Sequence, residues 1–318
     1  ILGRADVPAG LSTGANEAVE LRDGEKRYSG LGVRKAVKSV IEELGPAVKG
    51  MDVTEQRRID ETMIRLDGTK NKERLGANAV LGVSLAAARA AAAAVGLPLY
   101  RYVNINAHVL PVPLVNLING GKHASNDLEF QEFCIFPVGA ESFAEAMEIS
   151  HAVNTELRRI IVDKYGKIAA NVGDEGGFAP PITAVREAMD QLVLAVERSG
   201  YADKIVYGLD CAATHLYDKE TGLYHLEGKK LTTEQLLDFY RDLLKSYPIV
   251  TMEDPFSEDD VDGFVRGTKE LGIQIVGDDF FCTNPERIRE RAELGAGNAL
   301  LWKFNQIGTL SEALDAAD

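Results

Sequence analysis

Positive charge is in short supply. Lys and Arg number 35 against 49 Asp and Glu, which leaves the 318-residue chain at a formal −14. That balance disfavours nucleic acid and anionic membrane surfaces as partners, because their phosphates would be repelled. It does not exclude a small anionic substrate, since a bound metal ion can reverse the local field. Cysteine is also scarce. Cys134, Cys211 and Cys282 show no metal-ligand spacing, and each lies in or just after a probable strand. They read as buried, reduced thiols of a cytosolic protein. No apolar run is clean enough for a membrane span: Ala77 to Val95 is interrupted by Asn78, Ser84 and Arg89, and reads as a packed helix. No secretory leader is legible, and the chain opens on Ile1 as if in the middle of a strand. What is present is ordinary: 45% hydrophobic and 26% charged residues, enough for a sizeable core. The length suits two domains, or one barrel with an extension.

The most informative stretch runs from Ile205 to Gln306. It holds four short apolar runs, each ending in a charge: Ile205 to Leu209 then Asp210, Pro248 to Met252 then Glu253, Ile273 to Gly277 then Asp278, and Ala299 to Trp302 then Lys303. The last three charges recur at even intervals, at positions 253, 278 and 303; the longer first gap holds an insertion around Asp218 to Gly222. Val- and Leu-rich runs of this length read as buried parallel strands. Between them lie helical stripes, Leu236, Leu237, Tyr240, Leu243 and Leu244 in one, Val261, Phe264 and Val265 in another. Strand, charge and helix in repetition predict a β/α barrel, whose strand C-terminal ends line the site. Three carboxylates at neighbouring strand ends make an oxygen-lined cage for a hard cation such as Mg²⁺. An acid after a strand is also what a helix N-cap looks like. A lysine there is a poor cap at the wrong end of the helix dipole, so capping does not account for all four ends.

The front of the chain reads as helical. Residues 5–17 form a loop marked by Pro8, Gly10 and Gly14, with hydroxyls at Ser12 and Thr13, either a plain surface loop or a lid. Val33, Ala36, Val37, Val40, Ile41 and Leu44 define a helix that Gly45-Pro46 is expected to stop. A second carries Ile59, Met63 and Leu66, and the alanine-rich segment is the third. Together they predict a small helical layer behind a partial sheet, up to about residue 105.

The texture changes near Val109. An apolar run to Ile118 meets Asn119-Gly120-Gly121, strong turn chemistry, and then Phe130 to Pro137, so the pair predicts an antiparallel hairpin carrying His123 and Glu132. Glu132, flanked by Phe130, Phe133 and Ile135, needs a partner if buried. A helix spans about Ser142 to Lys164. Ala169 to Gly173 then reads as a strand ending in Asp174-Glu175-Gly176-Gly177, acids beside glycines where backbone can approach a ligand closely.

These motifs, taken together and in order, resemble enolase. The matching residues are Ser12-Thr13-Gly14, Asn119 to Ala124, Gln131-Glu132-Phe133, Gly173 to Gly177, Gly208-Leu209-Asp210, Glu253 to Phe256, Gly277-Asp278-Asp279 and Lys303 to Thr309, spread over nearly the whole chain. The resemblance implies an α/β fold: an enolase-type β/α barrel, incomplete here, over 106–318, preceded by a smaller α+β domain over 1–105. It implies reversible, Mg²⁺-dependent conversion of 2-phosphoglycerate to phosphoenolpyruvate, with two Mg²⁺ per active site, in a cytoplasmic homodimer or larger homo-oligomer. Carried over position by position, Lys303 would remove the C2 proton and Glu175 would protonate the departing hydroxyl. Asp210, Glu253 and Asp278 would hold the tighter Mg²⁺ and Ser12 would help bind the second. Glu132 would assist near the leaving group, and His123 would line the substrate pocket. The resemblance, not the spacing, supplies this pairing of a lysine base with Mg²⁺.

The sequence departs from the family pattern at Ala9 and Leu11 in the loop, at His215, and at Trp302 and Phe304 around the lysine. The family's phosphate-gripping loop and a later substrate-binding lysine have no counterpart in the chain, which looks cut at both ends; residues 1–318 alone are expected to be inactive, poorly stable, or both. The rival readings are another α-proton-abstracting lyase of the same superfamily and a non-catalytic binding relative. Five costly ionisable groups kept together argue against the last.

Overall fold

The computed structural model describes residues 1–10 and 14–318. It divides into two compact units. The first comprises Ile1–Val109, Phe281–Glu290 and Leu301–Asp318, and the second Leu110–Phe280 and Arg291–Leu300.

The first unit is helical. Its longer helices are Gln56–Asp67 and Ala77–Ala94, and its core gathers Ala36, Leu44, Ile59, Met63, Leu75, Ala79 and Val80. Gly45-Pro46 does not stop the preceding helix, contrary to expectation. Arg34–Ser39 passes through a π-helical turn at Val40–Leu44 and continues as Gly45–Val48, with the Gly45 N–H donating to the Val40 carbonyl. Proline clashes with the carbonyl four residues back, and one widened turn gives the ring room. The predicted stripe on this helix is broader than its contact: Ala36 and Leu44 are buried, whereas Val33, Val37 and Ile41 are exposed. The partial sheet expected here does not form among the described residues; Val19 lies in an extended segment bonded to Asn71 and Ala77 rather than to a strand. Ala77–Ala94 is long and apolar enough to cross a membrane, but Val80, Leu81, Ala88 and Ala91 are wholly buried in this unit.

The C-terminal residues lock into the same unit through polar groups. Asp60, fully buried, accepts from the Ser311 N–H at 3.0 Å and the Ser311 hydroxyl at 2.6 Å. Buried Lys72 pairs with Glu312 at 3.0 Å. Trp302 donates its indole N–H to the Ala313 carbonyl and meets Phe304 edge-on. The two bulky residues beside Lys303 are thus engaged in packing the terminal helix Leu310–Ala317.

All nine strands of the described residues belong to the second unit. They are β1 (Val115–Asn119), β2 (Glu132–Phe136), β3 (Val206–Asp210), β4 (Tyr217–Asp218), β5 (Leu223–Leu226), β6 (Lys229–Leu231), β7 (Ile249–Glu253), β8 (Gln274–Gly277) and β9 (Ala299–Leu300). Six form one sheet in the order β1-β2-β3-β7-β8-β9. β1, β2 and β3 pair antiparallel, confirming the hairpin, and β3, β7, β8 and β9 run parallel. This is the β/α grammar expected, with helices Thr233–Ser246 and Val261–Glu270 as crossovers and the sheet open at β1 and β9. The long gap after Asp210 folds as the small antiparallel sheet β4-β5-β6.

Sequence chemistry explains the punctuation. Thr232 and Gln235 form a reciprocal capping box, and the Asp260 carboxylate accepts from the Gly263 N–H at 2.9 Å. Beside the parallel strands runs a train of rings, Phe130, Tyr240, Phe256, Phe264 and Phe280, with Phe264 and Phe280 stacked at 3.6 Å. The strand expected over Ala169–Gly173 is not one. Lys167–Ala170 is a 3-10 turn, and only Val172 and Phe178 make single bridges. Phe178 bonds β1 through the Asn119 N–H and the Leu117 carbonyl, each at 2.8 Å, so the Glu175 turn is stapled to the outer edge of β1.

Candidate metal and active site

The second unit carries two groups of acids. The first follows from register. Asp210 is the last residue of β3, Glu253 the last of β7, and the two are paired across the ladder. Asp278 follows the last residue of β8, the next strand over. In parallel strands the ladder brings successive ends side by side, so three carboxylates gather along one edge of the sheet. Burial, followed by the nearby Glu132 charge, pushes the Asp210 carboxyl well above the ordinary range. Burial and then Asp210 and Asp278 do the same to Glu253. Desolvation disfavours each charge, and the acids disfavour one another. Oxygen donors crowded at adjacent strand ends are what a divalent cation relieves, so Asp210, Glu253 and Asp278 fit a hard metal ion.

The second group is His123, Glu132 and Glu175, whose ligating atoms all lie within 4.8 Å of one another. His123 Nδ1 stands 2.7 Å from Glu175 Oε1, and the His123 side chain is only 6% exposed. The other Glu175 oxygen accepts from the Asn116 and Asn119 amides at 3.2 and 3.0 Å. Burial raises the Glu175 carboxyl, but hydrogen bonds from Glu132 and His123 outweigh it and leave the group below its usual value. A hydrogen bond between two carboxyl groups needs one shared proton. Glu132 thus has the partner its apolar flanks demanded, and Cys134 also donates to it at 3.4 Å. The two groups adjoin, because Glu132 on β2 pairs with Asp210 on β3.

The glycines have a steric cause. A Cβ on Gly173 would stand 2.4 Å from the His123 carbonyl, and one on Gly177 would stand 2.7 Å from Asn119 Oδ1. Only glycine lets the Glu175 turn close this tightly on the His123 loop. His215 lies exposed after β3; desolvation, then the charges of Lys122 and His123, hold its imidazole below the usual value.

Of the residues singled out from sequence, His123, Glu132, Glu175, Asp210, Glu253 and Asp278 all lie in this unit. Lys303 lies in the first unit, at the N-cap position of the short helix Phe304–Ile307, and its backbone N–H donates to the Thr283 hydroxyl at 2.9 Å. Thr283 is fully buried with φ +48, a conformation a β-branched residue rarely adopts. Ser12 lies outside the described residues. Sequence reasoning passed over Asn119, which accepts from the Gly177 N–H while donating to Glu175, and Gln131, whose amide donates to Asp210 at 2.8 Å. It also passed over Asp254. All three stood inside the quoted motifs, but their roles are long-range hydrogen bonds that no local pattern announces.

Residues 1–103 match the family described as "Enolase, N-terminal domain", and residues 107–318 match "Enolase, C-terminal TIM barrel domain". The chain is 57% identical to the enolase of Thermococcus kodakarensis over 321 residues, covering 99% of this chain and 75% of that one. It is 58% identical to the enolase of Thermococcus gammatolerans over 322 residues, with the same coverage. The enolase of Methanocaldococcus jannaschii is 57% identical over 316 residues, 99% of this chain and 74% of the other.

Proposed function

The chain belongs to the enolase family, and we propose that it catalyses the reversible dehydration of 2-phosphoglycerate to phosphoenolpyruvate as a metal-dependent hydro-lyase. The observation that carries this reading is the row of Asp210, Glu253 and Asp278 on adjacent parallel strands, beside the cluster of His123, Glu132 and Glu175. Asp210, Glu253 and Asp278 would hold one Mg²⁺, and Ser12 would help hold a second. Bound Mg²⁺ supplies Lewis-acid stabilisation of the negative charge that develops on the substrate carboxylate.

The protein's own groups handle the protons. Lys303 takes the proton from C2, which requires it to be neutral when it acts. Hydroxide is a poor leaving group, so the departing 3-hydroxyl takes a proton from Glu175. Glu132 stands beside Glu175, within 4.8 Å of it and of His123, and would assist near the leaving group. His123, buried against Glu175, orients that carboxyl and lines the pocket. We further read the protein as a cytoplasmic homodimer or larger homo-oligomer, as its family resemblance implies. The net charge of −14 supports a small-molecule substrate rather than nucleic acid.

The test is Mg²⁺-dependent appearance of phosphoenolpyruvate from 2-phosphoglycerate, using the gene product from its own start codon to its own stop codon, with Lys303→Ala beside it. Activity lost in the variant supports the reaction and the base. A protein that binds Mg²⁺ yet leaves 2-phosphoglycerate untouched would move the assignment to another α-proton-abstracting lyase.

A further inference from the structure

Asp254, directly after Glu253, is 4% exposed and sits at φ +37, in the left-handed region. Asp tolerates that region better than most residues, but it is still uncommon there. The conformation lets this residue, at the end of β7, bond the ends of both neighbouring strands. Its N–H donates to the Val276 carbonyl of β8 at 3.0 Å, and its carbonyl accepts from the N–H of Ala213, just beyond β3, at 3.0 Å. Its carboxylate meets the residues just past the end of β8, where Oδ1 accepts from the Asp278 N–H at 3.0 Å and Oδ2 from the Asp279 N–H at 2.8 Å. Both carboxylate oxygens and both backbone groups are committed, and every bond crosses to a neighbouring strand end.

We propose that Asp254 is a positioning residue that clamps the ends of β3, β7 and β8 together, so that Asp210, Glu253 and Asp278 present their oxygens jointly to a divalent cation. The logic is that of a ligand's supporting partner: the hydrogen bonds fix the backbone from which a ligating carboxylate projects. Asp210 is also held by Gln131 and by the Ala212 N–H at 2.9 Å, and the Asp278 backbone, just past the end of β8 at Gly277, is bonded by Asp254. A second acid so near the ligands is a poor choice unless both its oxygens are spoken for, and here they are. An amide could accept from only one of the two N–H groups and would turn its own NH₂ on the other.

The inference rests on the metal reading above, and the experiment separates the two. Mg²⁺ affinity is measured by calorimetry on the wild-type protein, Asp254→Ala, Asp254→Asn and Asp260→Ala. Asp260 is the control: it caps the helix Val261–Glu270 and accepts from Tyr224 and Thr233, away from the strand-end carboxylates. Losing a ligand's supporting partner typically weakens metal binding about 10–100-fold. Asp254→Ala is expected to show that loss, Asp254→Asn a smaller one, and Asp260→Ala a lower melting temperature with an unchanged Mg²⁺ Kd. Folding is checked by near-UV circular dichroism, and if the alanine variant does not fold the asparagine variant decides. A folded Asp254 variant that binds Mg²⁺ as tightly as wild type overturns the proposal and leaves the metal reading standing. A wild-type protein that binds no Mg²⁺ overturns both.

Discussion

The two units bury polar groups in opposite ways. In the first, buried charges meet counter-charges or hydrogen-bond donors. Lys72 meets Glu312, and Asp60 collects donors from Gln56 and Ser311. In the second, acids converge on acids. Asp210, Glu253 and Asp254 are all driven upward, by burial first and by neighbouring carboxylates next. Buried charge matched internally serves the fold; buried like charge gathered at strand ends costs stability until something positive arrives. The contrast separates a scaffold's polar core from a binding site without reference to any motif.

The largest expected effect involves Lys303, the proposed base, which the first unit carries. Lys303→Ala should lower turnover by roughly 10²–10⁴-fold while leaving the Mg²⁺ Kd near wild type, read by steady-state kinetics beside calorimetry. A variant that lost metal binding instead would make Lys303 part of the acid cluster's charge balance.

Next come paired substitutions that set the units against each other in metal-free protein. Asp60→Ala strands the Ser311 and Gln56 donors and should cost about 1–3 kcal/mol in denaturant unfolding. Glu253→Gln removes one of several repelling acids and should leave metal-free stability equal or higher, while abolishing the thermal stabilisation that Mg²⁺ gives. Equal losses in both variants would erase the distinction.

The pH dependence should differ in sign. Carboxyls raised in the fold bind protons more tightly folded than unfolded. Their contribution is full below the ordinary carboxyl range and is lost as pH climbs through it towards the raised values. Mg²⁺ favours the ionised forms, so its shift in melting temperature should be larger at pH 8 than at pH 5. Asp315 behaves oppositely: its hydrogen bond from Arg57 holds it low, so its contribution is present at neutral pH and fades as pH falls through the lowered value. A Mg²⁺ shift that did not grow with pH would argue that the acids are ionised without the metal.

The smallest effect sharpens the same point. Arg57 and Asp315 form a two-pronged pair at 2.8 and 2.6 Å, but their side chains are 61% and 40% exposed. Solvent screens such a pair, so Asp315→Asn should change stability by about 0.5 kcal/mol or less.

The sequence by itself determined what repeats or alternates. Short continuous apolar runs ending in Asp210, Glu253 and Asp278, with amphipathic segments between, specify buried parallel strands and crossover helices, because the pattern of apolar side chains follows the backbone geometry that buries them. Asn119-Gly120-Gly121 specified a turn for a similar reason. Where local signals competed with packing, the tertiary structure decided. Gly45-Pro46 reads as a stop, yet the helix widens by one turn and continues. Residues 169–173 read as a strand, yet they find only single bridges at the edge of β1. Asn119, Gln131 and Asp254 act through partners 12 to 79 positions away, from the Gln131 carbonyl on Asn119 to Asp210 on Gln131. A hydrogen bond across that separation exists only once the sheet has set the register. The sequence therefore named the acids and lysine that could do chemistry, and the fold decided what holds the acids in place.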